Sequence, residues 1–462
     1  MVERVKIVSP VDGRIVAERP LADSAQIEAA VRDARSAQRE WAQLGIEERG
    51  RLCTAMVEAM LAMEAEIVPE LALQMGRPVR YGAGELKGFA ERARFMIEAA
   101  AGALASTTPE PKPGFKRLIK QVPVGIVLVV APWNYPFLTA VNSVIPALMA
   151  GNTVILKHAA QTLLVGERFA MAAERAGLPV GLFASPVLSH EATAALIRSR
   201  QVDRVNFTGS VAGGAAIEQA AAGRFLGVGL ELGGKDPAYV RADADLSHAI
   251  ENIVDGAFFN SGQSCCGIER VYVQESVYEA FLEGAVALTR QYVLGDPLDQ
   301  ATTLGPMVRS SAADLVRRQI AAAVAAGATT RLDSTAVARD AVGSAYMAPQ
   351  ILTEVDHTMA VMREESFGPV VGIMKVRDDE QAIGLMNDSA YGLTASIWTR
   401  DLVAAEAIGD RIDTGTVFMN RADYLDPALA WTGVKDTGRG VTLSALGYAH
   451  LTQAKSYHLR IV

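Results

Sequence analysis

The chain predicts an α/β fold: a doubly wound parallel-sheet domain, a second α/β domain and a small β arm. From residue 122 onward, strand-length apolar runs alternate with helical patterns, the spacing of repeated βα units. At 462 residues, half of them hydrophobic, the chain exceeds one ordinary core and calls for two or three domains. The last residues, YAHLTQAKSYHLRIV, end in an alternating pattern that reads as an edge strand, and such an edge needs a partner.

Residues 5 to 20 read as a hairpin around Asp12 and Gly13, and residues 24 to 104 as mostly helical, with Asp23 and Ser24 as a helix start. Cys53 falls on an apolar helical face and reads as core. The stretch 106 to 117, STTPEPKPGFKR, breaks the pattern with Pro, Gly and Lys. Then come strand 124–131, helix 137–150, strand 153–157, helices 162–176 and 190–199, strand 203–207, helix 210–222 and strand 226–231. In such a sheet the ligand lies at the carboxyl ends of the strands, here Asn134, Lys157, the turn 207–210 and Glu231. A second α/β region follows Gly234, with strands at 270–274, 370–376, 394–398 and 415–420 and helices at 276–293 and 310–326.

A net charge of −8 carries no basic excess, so nucleic acid is not an expected partner. Residues 121 to 156 contain no charged side chain, yet four prolines and three asparagines cut them into pieces too short to span a membrane. Three cysteines, two adjacent, build no disulfide framework and fit a reducing cytoplasm, and MVERVKIVSPVDGRIV shows no export signal. No metal-ligand spacing stands out.

The chemistry concentrates in FFNSGQSCCGIER, residues 258 to 270, where a Gly/Ser-rich turn presents Cys265 and Cys266 after an apolar helix end. A cysteine that attacks must be partly thiolate and partly exposed; a lone one is more often a small buried apolar residue. In LELGGK, residues 230 to 235, Glu231 ends a strand, where a general base is held rigidly, and two glycines let backbone pass close to something. APWNYP, residues 131 to 136, places Asn134 after another strand, and an amide can donate to a developing oxyanion without being protonated. Singly, that Glu is a strand end and that Asn a turn residue. FTGS, residues 207 to 210, can take a phosphate on a helix N-terminus or be an ordinary cap; no GxGxxG fingerprint opens a helix.

APWNYP, FTGS, LELGGK, FNSGQSC and EESFGP (364–369), in that order, resemble the aldehyde dehydrogenase superfamily from about residue 8 to the C-terminus. The resemblance implies Cys265 as nucleophile, Glu231 as base and Asn134 as oxyanion donor, oxidising an aldehyde to a carboxylate with NAD or NADP through a thiohemiacetal and a thioester. It implies cofactor contacts at Trp133, Lys157, Gly209, Ser210, Glu365 and Phe367, and a substrate tunnel with Tyr135, Thr139, Asn142, Ser264, Cys266, Tyr424, Leu425 and Trp431. Ala160 stands where NAD-preferring members carry a glutamate that repels a 2′-phosphate, so NADP should be tolerated. Residues 1–105 and 122–233 should then form the dinucleotide-binding domain, 234–436 the catalytic domain, and 106–121 with 437–462 an oligomerisation arm of a homodimer or homotetramer. Val441 and Thr442 stand where Arg and Glu often do, so a proton relay or interface salt bridge of better-matched members does not carry over to this chain. With no evident arginine, the tunnel suggests a neutral or aromatic aldehyde, while LKHA (156–159) keeps succinate semialdehyde as an alternative. A non-redox protein that keeps the fold, and a cysteine hydrolase without cofactor, are the competing classes.

Overall fold

The computed structural model describes residues 3–461 except 335, 336 and 338. The first two residues of the stretch read for an export signal, and Val462 at the end of the expected arm, lie outside them. The hairpin forms from Arg4–Val8 and Ile15–Pro20. Four helices follow, Ser24–Trp41, Ile46–Leu61, Glu64–Met75 and Val79–Ala103. The first starts at Asp23, whose carboxylate accepts from the Gln26 N–H while the Gln26 side chain returns to the Asp23 N–H, a reciprocal cap. Cys53 is fully buried in the core these helices share with helix Pro136–Met149.

Two sheets follow the helices. The first runs, edge to edge, Gly438–Arg439, Gly227–Glu231, Arg204–Thr208, Ile126–Val130, Thr153–Lys157 and Phe183–Ala184, all parallel except the first. Ile126–Val130 lies at its centre and is buried on both faces, which is why it is a continuous run of Val, Leu and Ile. The second runs Thr329–Thr330, Gln350–Thr353, Val370–Val376, Ile268–Gln274, Asp236–Val240, Thr394–Trp398 and Thr416–Met419, parallel except at the Thr329 edge. Apart from both, Phe115–Pro123 pairs antiparallel with Thr452–Arg460 along its whole length.

The sequence reading passes over strand Asp236–Val240, which sits inside the second sheet. It opens Asp-Pro, a turn signal, and Pro237 cannot donate to a ladder. The structure tolerates it because the buried Asp236 carboxylate accepts from Thr394 N at 3.1 Å and Thr394 Oγ1 at 2.6 Å, tying the strand start to its neighbour. Among the described residues no helix is long and apolar enough to cross a membrane.

Candidate active site

Helix Leu246–Phe258 stops at Phe258, and the chain then turns sharply through Asn260 and Ser261, at φ of 53° and 56°. Two successive left-handed residues that are not glycine cost on the order of 1 kcal/mol or more each, so neighbours must hold them. Asn260 Nδ2 donates to Asn134 O at 3.2 Å and Gln263 O at 3.1 Å, and Ser261 Oγ to Gly305 O at 2.8 Å. Gln263 Oε1 accepts from Val308 N at 2.8 Å. The turn leaves Cys265 partly exposed and Cys266 buried.

The two thiols are therefore in different states. Cys266 Sγ donates to Asp423 Oδ1 at 2.8 Å, an oxygen that also accepts from Ser264 Oγ at 3.1 Å. Contact with the Cys265 thiol, burial and the Asp423 charge all push the Cys266 thiol well above its ordinary range. Cys266 is kept protonated, and Cys265 is the thiol that faces open space.

Glu231 ends strand Gly227–Glu231 with both oxygens engaged: Thr208 Oγ1 donates to Oε2 at 2.9 Å and Thr442 Oγ1 to Oε1 at 2.5 Å. Burial raises its pKa, and the two hydroxyls partly offset this. Thr442 thus contacts the carboxylate directly, a role that the sequence, where Thr442 replaces a relay residue, does not reveal. The glycines of LELGGK make their close approaches here. A Cβ on Gly233 would collide with the Glu365 carboxylate, and one on Gly234 with the Cys265 carbonyl.

Asn134 is buried on the loop after strand Ile126–Val130, and its Nδ2 donates to Gln263 O at 3.2 Å, two residues before Cys265. Its carbonyl accepts from Arg77 Nη2 at 2.6 Å. Arg77 is ion-paired with Glu85 in full burial, and Glu85 Oε1 accepts from Phe137 N at 2.9 Å and Leu138 N at 3.1 Å. One carboxylate therefore caps helix Pro136–Met149 and, through Arg77, fixes the Asn134 backbone.

Two clefts meet at Cys265. One, of about 1090 Å³, is walled by Trp133, Gly209, Ser210, Glu365 and Phe367, five of the residues expected at the cofactor. The other is walled by Tyr135, Thr139, Ser264, Cys266, Leu425 and Trp431, all expected at the substrate, with Asn142 and Tyr424. Cys265, Glu231, Thr208 and Leu232 line both. Lys157 ends its strand buried and is on neither wall; Ala160 lines a smaller cavity with Ser185 and Leu188.

The first cleft fits a nicotinamide dinucleotide by its donor set. The Glu365 carboxylate, which accepts from Gly234 N at 3.0 Å, is raised by burial to about 7 and has capacity left for ribose hydroxyls. Trp133 and Phe367 pack edge to face, centroids 5.6 Å apart, as an apolar wall. Ser210 Oγ caps helix Val211–Ala221 by accepting from Gly213 N at 3.2 Å, which leaves other N–H groups of that helix start for an anion.

The expectation of a substrate cleft without arginine is corrected: Arg77 and Arg92 are on its wall. Both precede the βα region and reach the cleft from the loop before helix Val79–Ala103 and from that helix, which packs along helix Pro136–Met149. No motif near the cysteines announces them, nor Asp423, nor Thr442.

Fold and site define an oxidoreductase with a cysteine between a dinucleotide cleft and a substrate cleft. The sequence profile of the aldehyde dehydrogenase family matches residues 2–457, and the chain belongs to that family. It is 32% identical over 440 residues to a succinate semialdehyde dehydrogenase [NAD(P)+], Sad, of Escherichia coli K12, covering 95% of this chain and 94% of that one. A solved structure of Gox0499, described for its cofactor and substrate selection, superposes with a TM-score of 0.94 at 32% identity, covering 99% of this chain and 100% of that one. PnpE in complex with nicotinamide adenine dinucleotide superposes with a TM-score of 0.95 at 28% identity, covering 99% and 94%. The protein is accordingly an NAD(P)-dependent oxidoreductase that converts an aldehyde to its acid through a cysteine thiohemiacetal and thioester.

Proposed function

We propose that Cys265 is the nucleophile, Glu231 the general base and Asn134 the oxyanion donor of this reaction. The observation that carries the assignment is the meeting of two clefts at Cys265, with Glu231 on the shared wall. Cys265 Sγ adds to the aldehyde carbon; the oxygen that becomes negative is received by the Asn134 amide and the Cys265 N–H, preorganised donors that each contribute a factor of ~10² or more. A bound oxidised nicotinamide supplies the hydride acceptor. Glu231 then takes a proton from the water that cleaves the thioester. Its tether to Thr208 and Thr442 holds it on the shared wall.

Glu365, Trp133, Phe367, Gly209 and Ser210 would hold the cofactor in the first cleft; Lys157, off that wall, joins them on the family resemblance alone. Ala160 offers no carboxylate to repel a 2′-phosphate, so NAD and NADP should both serve, with kcat/KM values within about a hundredfold, some 2.7 kcal/mol. The division into a dinucleotide-binding domain (1–105, 122–233), a catalytic domain (234–436) and an arm (106–121, 437–462), the assembly as a homodimer or homotetramer and a cytoplasmic location belong to the same proposal. Aldehydes offered with each cofactor should produce reduced nicotinamide, and Cys265→Ser should abolish it. Turnover that survives Cys265→Ser but not Cys266→Ser would reassign the nucleophile.

A further inference from the structure

Arg92 is a buried cation of the substrate cleft whose bonding is unfinished. It lies on helix Val79–Ala103, 8% exposed, on the cleft wall. Its Nη1 donates to two neutral acceptors, Leu138 O at 2.7 Å and Asn142 Oδ1 at 3.4 Å. Among the described residues no carboxylate stands within 4 Å of it, and its Nε and Nη2 have no acceptor. Those two nitrogens form the edge of a guanidinium that grips a carboxylate with two parallel bonds. Elsewhere in this protein the same edge is so used: Arg19 presents Nε and Nη2 to the two oxygens of Glu167 at 2.6 and 3.0 Å, and Arg168 to those of Glu70 at 3.1 and 2.5 Å.

Two of the other charges in the cleft are committed. Arg77 is neutralised by Glu85, and the Asp423 oxygen Oδ1 accepts from both Ser264 and Cys266. A buried cation without a counter-ion is costly, and burial already pulls the Arg92 guanidinium below its ordinary pKa. Its charge reaches Cys266, Glu231, Cys265 and Asp423 without a bond to any of them, so it lies near the thiols but not against them.

Resting on Cys265 as the nucleophile, we infer that Arg92 determines specificity by receiving a carboxylate at the far end of the substrate, which makes short ω-carboxy aldehydes the preferred substrate class. Its present bonds to helix Pro136–Met149 hold the guanidinium in place while the free edge receives the ligand.

The test compares succinate semialdehyde with butanal, equal in chain length and differing in the terminal charge. Wild-type protein should favour the semialdehyde by about tenfold or more in kcat/KM, mostly through KM. Arg92→Gln should bring that ratio toward one, and Arg92→Lys, a point charge without the fork, should give an intermediate ratio. A purely structural arginine would lower both substrates alike and leave the ratio unmoved. Calorimetric titration with succinate reads the same contact without turnover: binding to wild type should be lost in Arg92→Gln. Preference for butanal, an unchanged ratio or succinate binding that ignores the substitution would overturn the inference. Absence of turnover with any aldehyde, alongside Arg92-dependent succinate binding, would count against the reaction proposed above and leave the arginine's role standing.

Discussion

Thr442 and Thr208 each give a hydroxyl hydrogen to one oxygen of Glu231, and under the proposed mechanism this small feature sets when that carboxylate can act as base. Burial raises the carboxyl's pKa and the two hydroxyls lower it, so losing one should raise it again. Thr442→Val should therefore move the acid limb of the steady-state rate to higher pH. It should also slow thioester hydrolysis about five- to thirtyfold, the worth of 1–2 kcal/mol, while leaving the initial burst of reduced nicotinamide visible in stopped flow. Glu365 works in the opposite direction on stability. Its pKa, raised by burial to about 7 from 4.5, means that the folded protein holds a proton there that the unfolded chain has released. The group's contribution is thus most favourable below pH 4.5 and is lost as pH rises through 7, where the buried charge costs roughly 3 kcal/mol. Glu365→Gln should raise the melting temperature clearly at pH 8 and little at pH 5, while raising KM for the cofactor; equal shifts at the two pH values would refute the linkage.

Among elements, the start of helix Pro136–Met149 organises the site, because Glu85 caps it and Arg77 carries that anchor to Asn134 and Asn260. Arg77 also lies over the Tyr135 ring, 4.5 Å from its centroid, so one side chain joins the Asn134 loop to the wall of the second cleft. Arg77→Met would leave the Glu85 carboxylate buried without its ion, at a cost of about 3–5 kcal/mol, which denaturant titration should resolve. The same variant frees the Asn134 backbone, so kcat should fall more than KM rises. A second anchor holds the EESFGP turn: Glu269 accepts from Ser366 N and Phe367 N, each at 2.8 Å, and is ion-paired with buried Lys235. The lysine of LELGGK is therefore a brace for the Glu365 turn. The edge strands Phe183–Ala184 and Gly438–Arg439, two residues each, are too short to carry a local signal, whereas the helices and the four inner strands of the first sheet were legible in the sequence through their apolar spacing. Strand Asp236–Val240 was not, because its Asp-Pro opening is compensated by Thr394, 158 residues away.

At the scale of the molecule, strand Thr452–Arg460 pairs, among the described residues, only with Phe115–Pro123, a two-stranded ribbon apart from both sheets with Leu459 and Ile461 exposed. Such a ribbon is marginal by itself and its free edges invite another chain. Light scattering should show an assembly larger than one chain, and deletion of residues 452–462 should shift it to a smaller species; a monomeric intact protein would contradict this reading of the arm. The sequence by itself determined the order of βα units, the five motifs and hence the family, since turn chemistry and hydrophobic period act over a few neighbouring residues. Only the tertiary structure decided that Cys266 is held as a thiol by Asp423, that Thr442 reaches Glu231 and that Arg92 turns a half-free guanidinium into the cleft. Those contacts join residues 157, 211 and 50 positions apart, where no local pattern can carry the information and packing alone sets the distance.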